Sequence, residues 1–281
     1  MTSWIRAPLP KKLEPKGLLF ETTDGGFCSN FNQFLYAYAY SVAEGKPLQV
    51  YDLANCVAVT YPLLKNTFID MSGVTYTDGM SLGTTSTRRS IARVMMNAQT
   101  MPLATLRRQA QQLFQWRPEF IPTLEGVLSS AGLPAEFDAG VHIRVGDRIT
   151  TRDRRTVPVD DYIRAVKKIQ ADLKKEEMNL FLMSDSLTAV EEFKKKMPTT
   201  WKVYTLPSAL PSPDGHIQSQ FNRAPARARM TAYHSFMAEI LVMQSISHIV
   251  CAMSSNVGRF LYYTVEHPEN MVSMDEKFSV K

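Results

Sequence analysis

The chain has 281 residues, 44% of them hydrophobic and 21% charged, with a formal net charge of +5. That length suits about two domains, and these proportions exclude a disordered or fibrous chain. No apolar run reaches the roughly 18–20 residues of a membrane-spanning helix, and residues 1–17 lack the apolar centre of a signal peptide. Three widely spaced cysteines, Cys28, Cys56 and Cys251, read as reduced thiols of a cytoplasmic protein rather than as a disulfide or zinc framework. The positive balance asks for an anionic partner without naming it.

Residues 1–17, with three prolines and four basic side chains, read as a flexible arm. A strand is predicted at 18–20, then a turn at Asp24-Gly25-Gly26, a buried helix over 30–44 that Gly45 ends, and a strand over Leu48–Tyr51. The stretch 71–89 is rich in Gly, Ser and Thr and reads as a long loop suited to contacting an acceptor. Helices fill 87–131, with Pro102, Pro118 and Pro122 at boundaries or first turns. At Gly132-Leu133-Pro134 the texture changes, dividing the chain into 18–134 and 135–281. From there strands at 141–144, 179–183, 202–205 and 248–252 are each followed by a helix, over 159–175, Leu187–Lys196, 229–247 and 256–266. A Pro/Ser-rich loop extends to about Arg227. Four strand–helix units in succession predict a parallel sheet.

Open parallel sheets bind ligands beyond the carboxyl ends of their strands. In the second half those ends gather Arg144, Gly146 and Asp147, then Ser184 and Asp185, then Ser254 and Ser255. An arginine ending a buried strand needs a fixed anionic partner. Two readings stand: an ion pair with Asp147 or Asp185, or a guanidinium fork clamping a diphosphate. His142 shares the strand face of Arg144. Ser254-Ser255-Asn256-Val257-Gly258-Arg259 joins strand to helix, where Ser and Asn serve equally as caps and as part of an anion site. Asp147 and Asp153 lie in a charged loop among Arg148, Arg152, Arg154 and Arg155; either carboxylate suits proton abstraction. Neither a P-loop nor a Gly-x-Gly-x-x-Gly fingerprint nor an Asp-x-Asp motif is present, so no metal site is expected. The basic runs lack interleaved aromatics and match no helix-turn-helix or zinc pattern, so no nucleic acid is expected as a partner.

His142-Ile143-Arg144-Val145-Gly146-Asp147, Ser184-Asp185-Ser186 and the 254–259 segment resemble, in order and spacing, the three successive motifs of the α1,6- and protein O-fucosyltransferases, a superfamily that includes the bacterial nodulation fucosyltransferases. The glycine-rich turn 25–30 is similar to that superfamily's first loop. The likeness covers most of 136–266 and a patch of the first half. It implies an α/β, GT-B-like fold of two Rossmann-like lobes with the donor site in the interlobe cleft, 18–134 on the acceptor side and 135–281 on the nucleotide-sugar side. The activity implied is inverting, metal-independent transfer of a sugar from a nucleotide-sugar donor, GDP-fucose favoured, to a glycan hydroxyl, with no further cofactor. Carried over residue by residue, Arg144 binds the β-phosphate, Ser254 and Ser255 hold it from the helix start, and His142 and Asp185 face the nucleotide. Glu239 stands where the family has an aspartate reading guanine. Asn30, Asn256 and Arg259 complete the nucleotide-sugar set, and Asp147 or Asp153 supplies the catalytic base.

The sequence departs from that pattern in places. Val145 occupies the position of a second arginine, Arg152 aligns with a loop acid that only a one-residue shift brings to Asp153, and Glu239 is longer than the aspartate it replaces. Such departures suit a viral xylosyltransferase relative using a UDP-sugar such as UDP-xylose in N-glycan assembly. A nucleotide- or sugar-binding protein without catalysis is the other reading of the same motifs.

Overall fold

The computed structural model describes residues 18–52, 57, 61–77, 101–146, 157–207 and 212–278. β1 (Leu18–Glu21), β2 (Leu48–Tyr51) and β3 (Val74–Thr77) form a three-stranded parallel sheet in which Leu18 faces Leu48 and Leu48 faces Val74. The third strand lies inside the stretch predicted as loop. Its Gly and Thr neighbours obscure a Val-Thr-Tyr-Thr run whose β-branched and aromatic side chains suit a pleated surface. Helix α1 (Phe27–Glu44) starts three residues before the expected Asn30 and stops as predicted at Gly45. There the left-handed φ of 62° lets the Gly45 N–H reach the carbonyls of Ser41 and Val42. Short α2 (Leu63–Thr67) follows β2, and α3 (Leu103–Leu113) and α4 (Ile121–Ser129) are the other helices after α1 among the described residues of the first half; the part of the predicted helical stretch from 87 to 100 lies outside the described residues.

The second sheet is parallel throughout, as the alternation predicts. It contains β4 (Ala139–Ile143), β5 (Met178–Ser184), β6 (Trp201–Tyr204), β7 (Ile249–Cys251) and β8 (Met271–Ser273), in the order β6-β5-β4-β7-β8. The edge strand β8 is a fifth strand beyond the four predicted, too short and too polar at its flanks to stand out in the sequence. The helices are α5 (Val159–Leu173), α6 (Leu187–Lys196), α7 (Gln218–Arg223), α8 (Ala226–Gln244) and α9 (Asn256–Thr264). Of these α7 falls within the predicted Pro/Ser-rich loop.

Side-chain alternation gives the five-stranded sheet two different faces. Val141, Leu180, Leu182 and Val250 pack against Tyr162, Val166 and Ile169 of α5 and Phe193 of α6. Phe181, Met183 and Cys251 point the other way, into a core shared with α8 and α9 and continuing into Phe31, Phe34 and Leu35 of α1. The texture change at Pro134 therefore separates two sheets while one apolar core runs past it. Aromatic pairs carry that continuity: Phe260 of α9 lies 5.2 Å from Phe31 and 5.0 Å from Phe114. Such pairs contribute about 0.5–1.5 kcal/mol each beyond their burial. Cys28 and Cys251 are buried and are not joined in a disulfide; Cys56 lies outside the described residues. Among the described residues no helix is long and apolar enough to cross a membrane.

Candidate functional site

Arg144 is the first residue past β4, its side chain 22% exposed, and Nη1 lies 2.5 Å from Asp185 Oδ2 just beyond β5. The adjacent pairing of β4 with β5 brings these two strand ends together. Of the two readings of Arg144, the ion pair with Asp185 is thus present. It holds one guanidinium nitrogen and fixes the fork in place. The Asp185 carboxylate is itself fully engaged. Oδ1 accepts from the Val145 N–H at 2.8 Å, and Oδ2 also accepts from the His216 N–H at 2.9 Å. Three donors hold a charge that would be costly to leave unpaired in this half-buried position.

That arrangement depends on two glycines. Gly146 has φ 20° and Gly215 φ 94°, and their backbones are in contact. A Cβ on Gly215 would fall 2.2 Å from the Gly146 nitrogen, and one on Gly146 would fall 2.3 Å from the His216 carbonyl oxygen. The 212–216 segment is pinned further at the start of α6. Ser186 Oγ caps the Ala189 N–H at 3.2 Å and donates to the Pro213 carbonyl at 2.7 Å, while the Leu187 N–H reaches the Ser212 carbonyl at 3.0 Å.

The start of α9 supplies the second part of the edge. Ser255 is the N-cap, its Oγ accepting from the Val257 N–H at 3.3 Å. Gly258 lets the first turn sit directly on the end of β7, because a Cβ there would lie 2.4 Å from the Ala252 carbonyl. Ser254 is committed elsewhere: its Oγ donates to Asp275 Oδ2 and its N–H reaches Asp275 Oδ1 at 3.3 Å. The Arg259 guanidinium is turned the same way, buried, with Nη2 3.4 Å from Glu276 and 3.4 Å from the Ser254 carbonyl. Asn256 is exposed, and its carbonyl accepts from Asn32 Nδ2 of α1 at 3.0 Å, tying the helix start to the first sheet.

His142 is buried on β4, opposite Met183 and Cys251, one strand step below Arg144 on the shared-core face. Glu239 of α8 is enclosed by protein although its surface is not wholly covered. Burial pushes its carboxyl up to about 8, and the Asp185 charge adds to the rise. Asn30 is wholly buried and spent on the glycine-rich turn. Its Oδ1 accepts from the Thr23 N–H at 2.7 Å, and its Nδ2 donates to the carbonyls of Thr23 and Gly25 at 3.1 Å each. The turn, rather than the Asn30 side chain, is what faces outward. Asp147 and Asp153 lie outside the described residues.

The structure thus brings Arg144, Asp185 and Ser255 to one edge, with Glu239 near Asp185, and turns Ser254 and Arg259 toward Asp275 and Glu276. Sequence reasoning missed the 215–222 segment and the acidic pair after β8. Asp214-Gly215 is a turn signal that could have drawn attention to the first; no spacing rule points to the second. Among the described residues no group of three or more His, Cys, Asp or Glu side chains is placed to hold a metal ion. A cavity of about 780 Å³ lies instead at the amino ends of the strands, lined by Glu125, Phe137, Val242 and Ser245 among others, away from these groups.

No family model matches this sequence, and no curated protein matches it. Solved structures do resemble the fold. Selenomethionyl NodZ fucosyltransferase from Bradyrhizobium aligns with a TM-score of 0.61 over 95% of this chain and 97% of that one, at 13% identity. NodZ α1,6-fucosyltransferase soaked with GDP-fucose gives 0.59 over 90% and 93%, also at 13% identity. The apo form of POFUT1 gives 0.54 over 95% and 100%, at 10% identity. The α/β, GT-B-like fold expected from the motifs is the fold this chain shares with those enzymes.

Proposed function

We propose that this chain is a glycosyltransferase that moves a sugar from a nucleotide-sugar donor, GDP-fucose favoured, to a glycan hydroxyl. The observation that carries the reading is the Arg144–Asp185 pair set beside the Ser255-capped start of α9, at the carboxyl edge of a sheet whose fold is shared with NodZ. A guanidinium fixed at a strand end by a carboxylate is a positive charge suited to an anionic ligand, and a helix start adds backbone N–H groups and a favourable dipole. In this reading 18–134 forms the acceptor side and 135–281 the donor side. Arg144, Ser255 and Asn256 address the diphosphate. Asp185 acts through Arg144, and Ser254 and Arg259 act through the helix start that they anchor. His142 lies beneath the nucleotide, and Asn30 shapes the turn that faces it.

Transfer is in-line, with inversion at the anomeric carbon. Arg144 and the helix start offset the charge on the leaving diphosphate, an electrostatic role that in other enzymes of this chemistry falls to a metal. The test is a thermal-shift panel of GDP, UDP, GDP-fucose and UDP-xylose. The preferred ligand at 100 times its Kd should stabilise the fold by about 2.7 kcal/mol. Silence across the panel overturns the reading, and a shift with UDP-xylose alone moves the donor to a UDP-sugar.

Glu239 gives that panel a pH signature. Guanine presents N–H donors, so a carboxyl that reads it must be ionised. Below its pKa of about 8 the ionised fraction drops about tenfold per unit. GDP affinity should therefore rise from pH 6.5 to pH 8, and Glu239→Gln should flatten the rise. An affinity independent of pH in the wild type would detach Glu239 from the base.

A further inference from the structure

We propose that Asp275, just past β8, is a positioning residue of the donor site: it holds the turn from β7 into α9 in the geometry that meets a diphosphate. The role rests on the glycosyltransferase reading above. Three observations converge on it: where the chain delivers Asp275, what its carboxylate holds, and how the rest of the segment fastens it.

Delivery follows from the edge strand. β8 pairs with β7 so that Cys251 faces Ser273, and the Met274 N–H extends the pairing to the Cys251 carbonyl at 2.9 Å. Both segments then leave the sheet side by side, which sets Asp275 against Ser254 across 21 positions of sequence. β8 is three residues long and none of them is fully buried, so it adds little to the core. What it does is place this carboxylate.

The carboxylate takes both donors of Ser254. Oδ2 accepts from Oγ, and Oδ1 accepts from the backbone N–H at 3.3 Å. Oδ1 also accepts from the Glu276 N–H at 2.8 Å, which ties the carboxylate to its own backbone. Ser254 immediately precedes the N-cap Ser255, whose N–H bonds the Ala252 carbonyl at 3.1 Å. The turn that aims the helix start is therefore held from outside as well as by its own backbone.

The rest of the segment grips the same helix. Glu276 Oε1 lies 3.4 Å from Nη2 of the buried Arg259, and that nitrogen also lies 3.4 Å from the Ser254 carbonyl. Phe278 stacks on Tyr262 with ring centroids 4.1 Å apart and meets Tyr263 edge-on at 5.2 Å. Asp275 thus belongs to a brace that touches α9 at its start and again one turn further along.

Charge and geometry predict opposite signs for this residue. A carboxylate close to an anion site disfavours the anion by its charge. A helix start aimed in advance favours it, because nothing has to be reorganised on binding. Two substitutions separate the terms. Asparagine keeps the shape without the charge: its oxygen replaces Oδ1, and its NH₂ donates to Ser254 Oγ where Oδ2 accepts. Glutamate keeps the charge but is one methylene too long to keep the geometry.

Isothermal titration of the full chain with GDP and with UDP, at fixed salt, reads this out on whichever nucleotide the wild type binds. Asp275→Ala should weaken that nucleotide about tenfold or more, as expected where a charge-assisted hydrogen bond is lost. Asp275→Glu should weaken it too, while Asp275→Asn should bind at least as tightly as the wild type. Measured well below the melting temperature, these affinities belong to the folded protein. Asp275→Ala binding as well as the wild type, or better, overturns the assignment whatever its stability. So does an Asp275→Asn as weak as Asp275→Ala, or an Asp275→Glu at wild-type affinity. If Asp275→Ala does not fold, the Asn and Glu variants decide by the same outcomes. A wild type that binds neither nucleotide overturns the glycosyltransferase reading and Asp275 with it, whereas a binding wild type beside an unimpaired Asp275→Ala overturns Asp275 alone.

Discussion

Two parallel sheets in one chain present the same kind of carboxyl edge and use it differently. At the edge of the first, Asn30 and Asp52 are buried and turned inward: Asn30 stitches the 23–26 turn, and Asp52 takes the Lys65 N–H at 2.8 Å at the start of α2. At the edge of the second, Arg144 and Asp185 keep partial exposure, and Asn256 at the start of α9 is exposed. Buried polar groups that stitch neighbouring turns together define shape, while half-buried charged groups held in place define chemistry. One topological rule thus yields a scaffold edge and a reactive edge, and the 216–222 segment bridges their seam, where the Asn222 amide donates to the Asp24 carbonyl at 2.9 Å.

Exchanging what each edge loses breaks the comparison most directly. Arg144→Ala should lower transfer by about 10²–10³-fold, since it removes a donor aimed at developing charge. Its melting temperature should change little, because Asp185 keeps the Val145 and His216 N–H groups. Single-turnover kinetics beside a thermal melt check both halves. Retained turnover, or unfolding of the variant, would place Arg144 on the scaffold side instead.

Asn30→Ala should do the reverse. It strands the Thr23 N–H and two carbonyls inside a turn where each unsatisfied group costs about 1–3 kcal/mol. Denaturant melts should show the loss directly. Nucleotide binding should fall only as far as the turn loosens, so saturating nucleotide should restore turnover. If Asn30→Ala keeps full stability but binds no nucleotide, the side chain touches ligand and the first edge is reactive too.

The same contrast explains what could be read from the sequence. The second sheet was legible because its apolar strands alternate with amphipathic helices, and because an arginine or a Ser-Ser pair at a strand end is costly without a purpose. In the first sheet, Val74–Thr77 hides among Gly, Ser and Thr, which say turn as loudly as Val and Tyr say strand. Asn30 was legible as important and illegible in direction, since a turn-stitching amide and a ligand-facing one have the same sequence. Asn222 gains its meaning from Asp24, and Ser254 from Asp275. Those contacts are set by how loops return across the fold, and no local periodicity encodes them.

Asp52 offers the smallest effect and the one that isolates the scaffold edge alone. Burial, against the backbone N–H groups of α2, pushes its carboxyl up to about 7 from 3.8. The folded state therefore holds a proton that the unfolded chain has released. That stabilisation is complete below the unfolded value and is lost as pH rises toward about 7, at up to about 1.4 kcal/mol per unit. Glu239 acts with the same sign toward its own value of about 8. His234, whose pKa burial lowers, acts with the opposite sign near 6.5. Both are common to wild type and variant, so their difference belongs to Asp52. Asp52→Asn keeps an oxygen for the Lys65 N–H and removes the proton, so its stability between pH 5 and pH 7 should fall less steeply than that of the wild type. Urea melts across that range give the two slopes. Equal slopes would mean that Asp52 is ionised in the folded state, and that the first edge carries a buried charge available to a ligand after all.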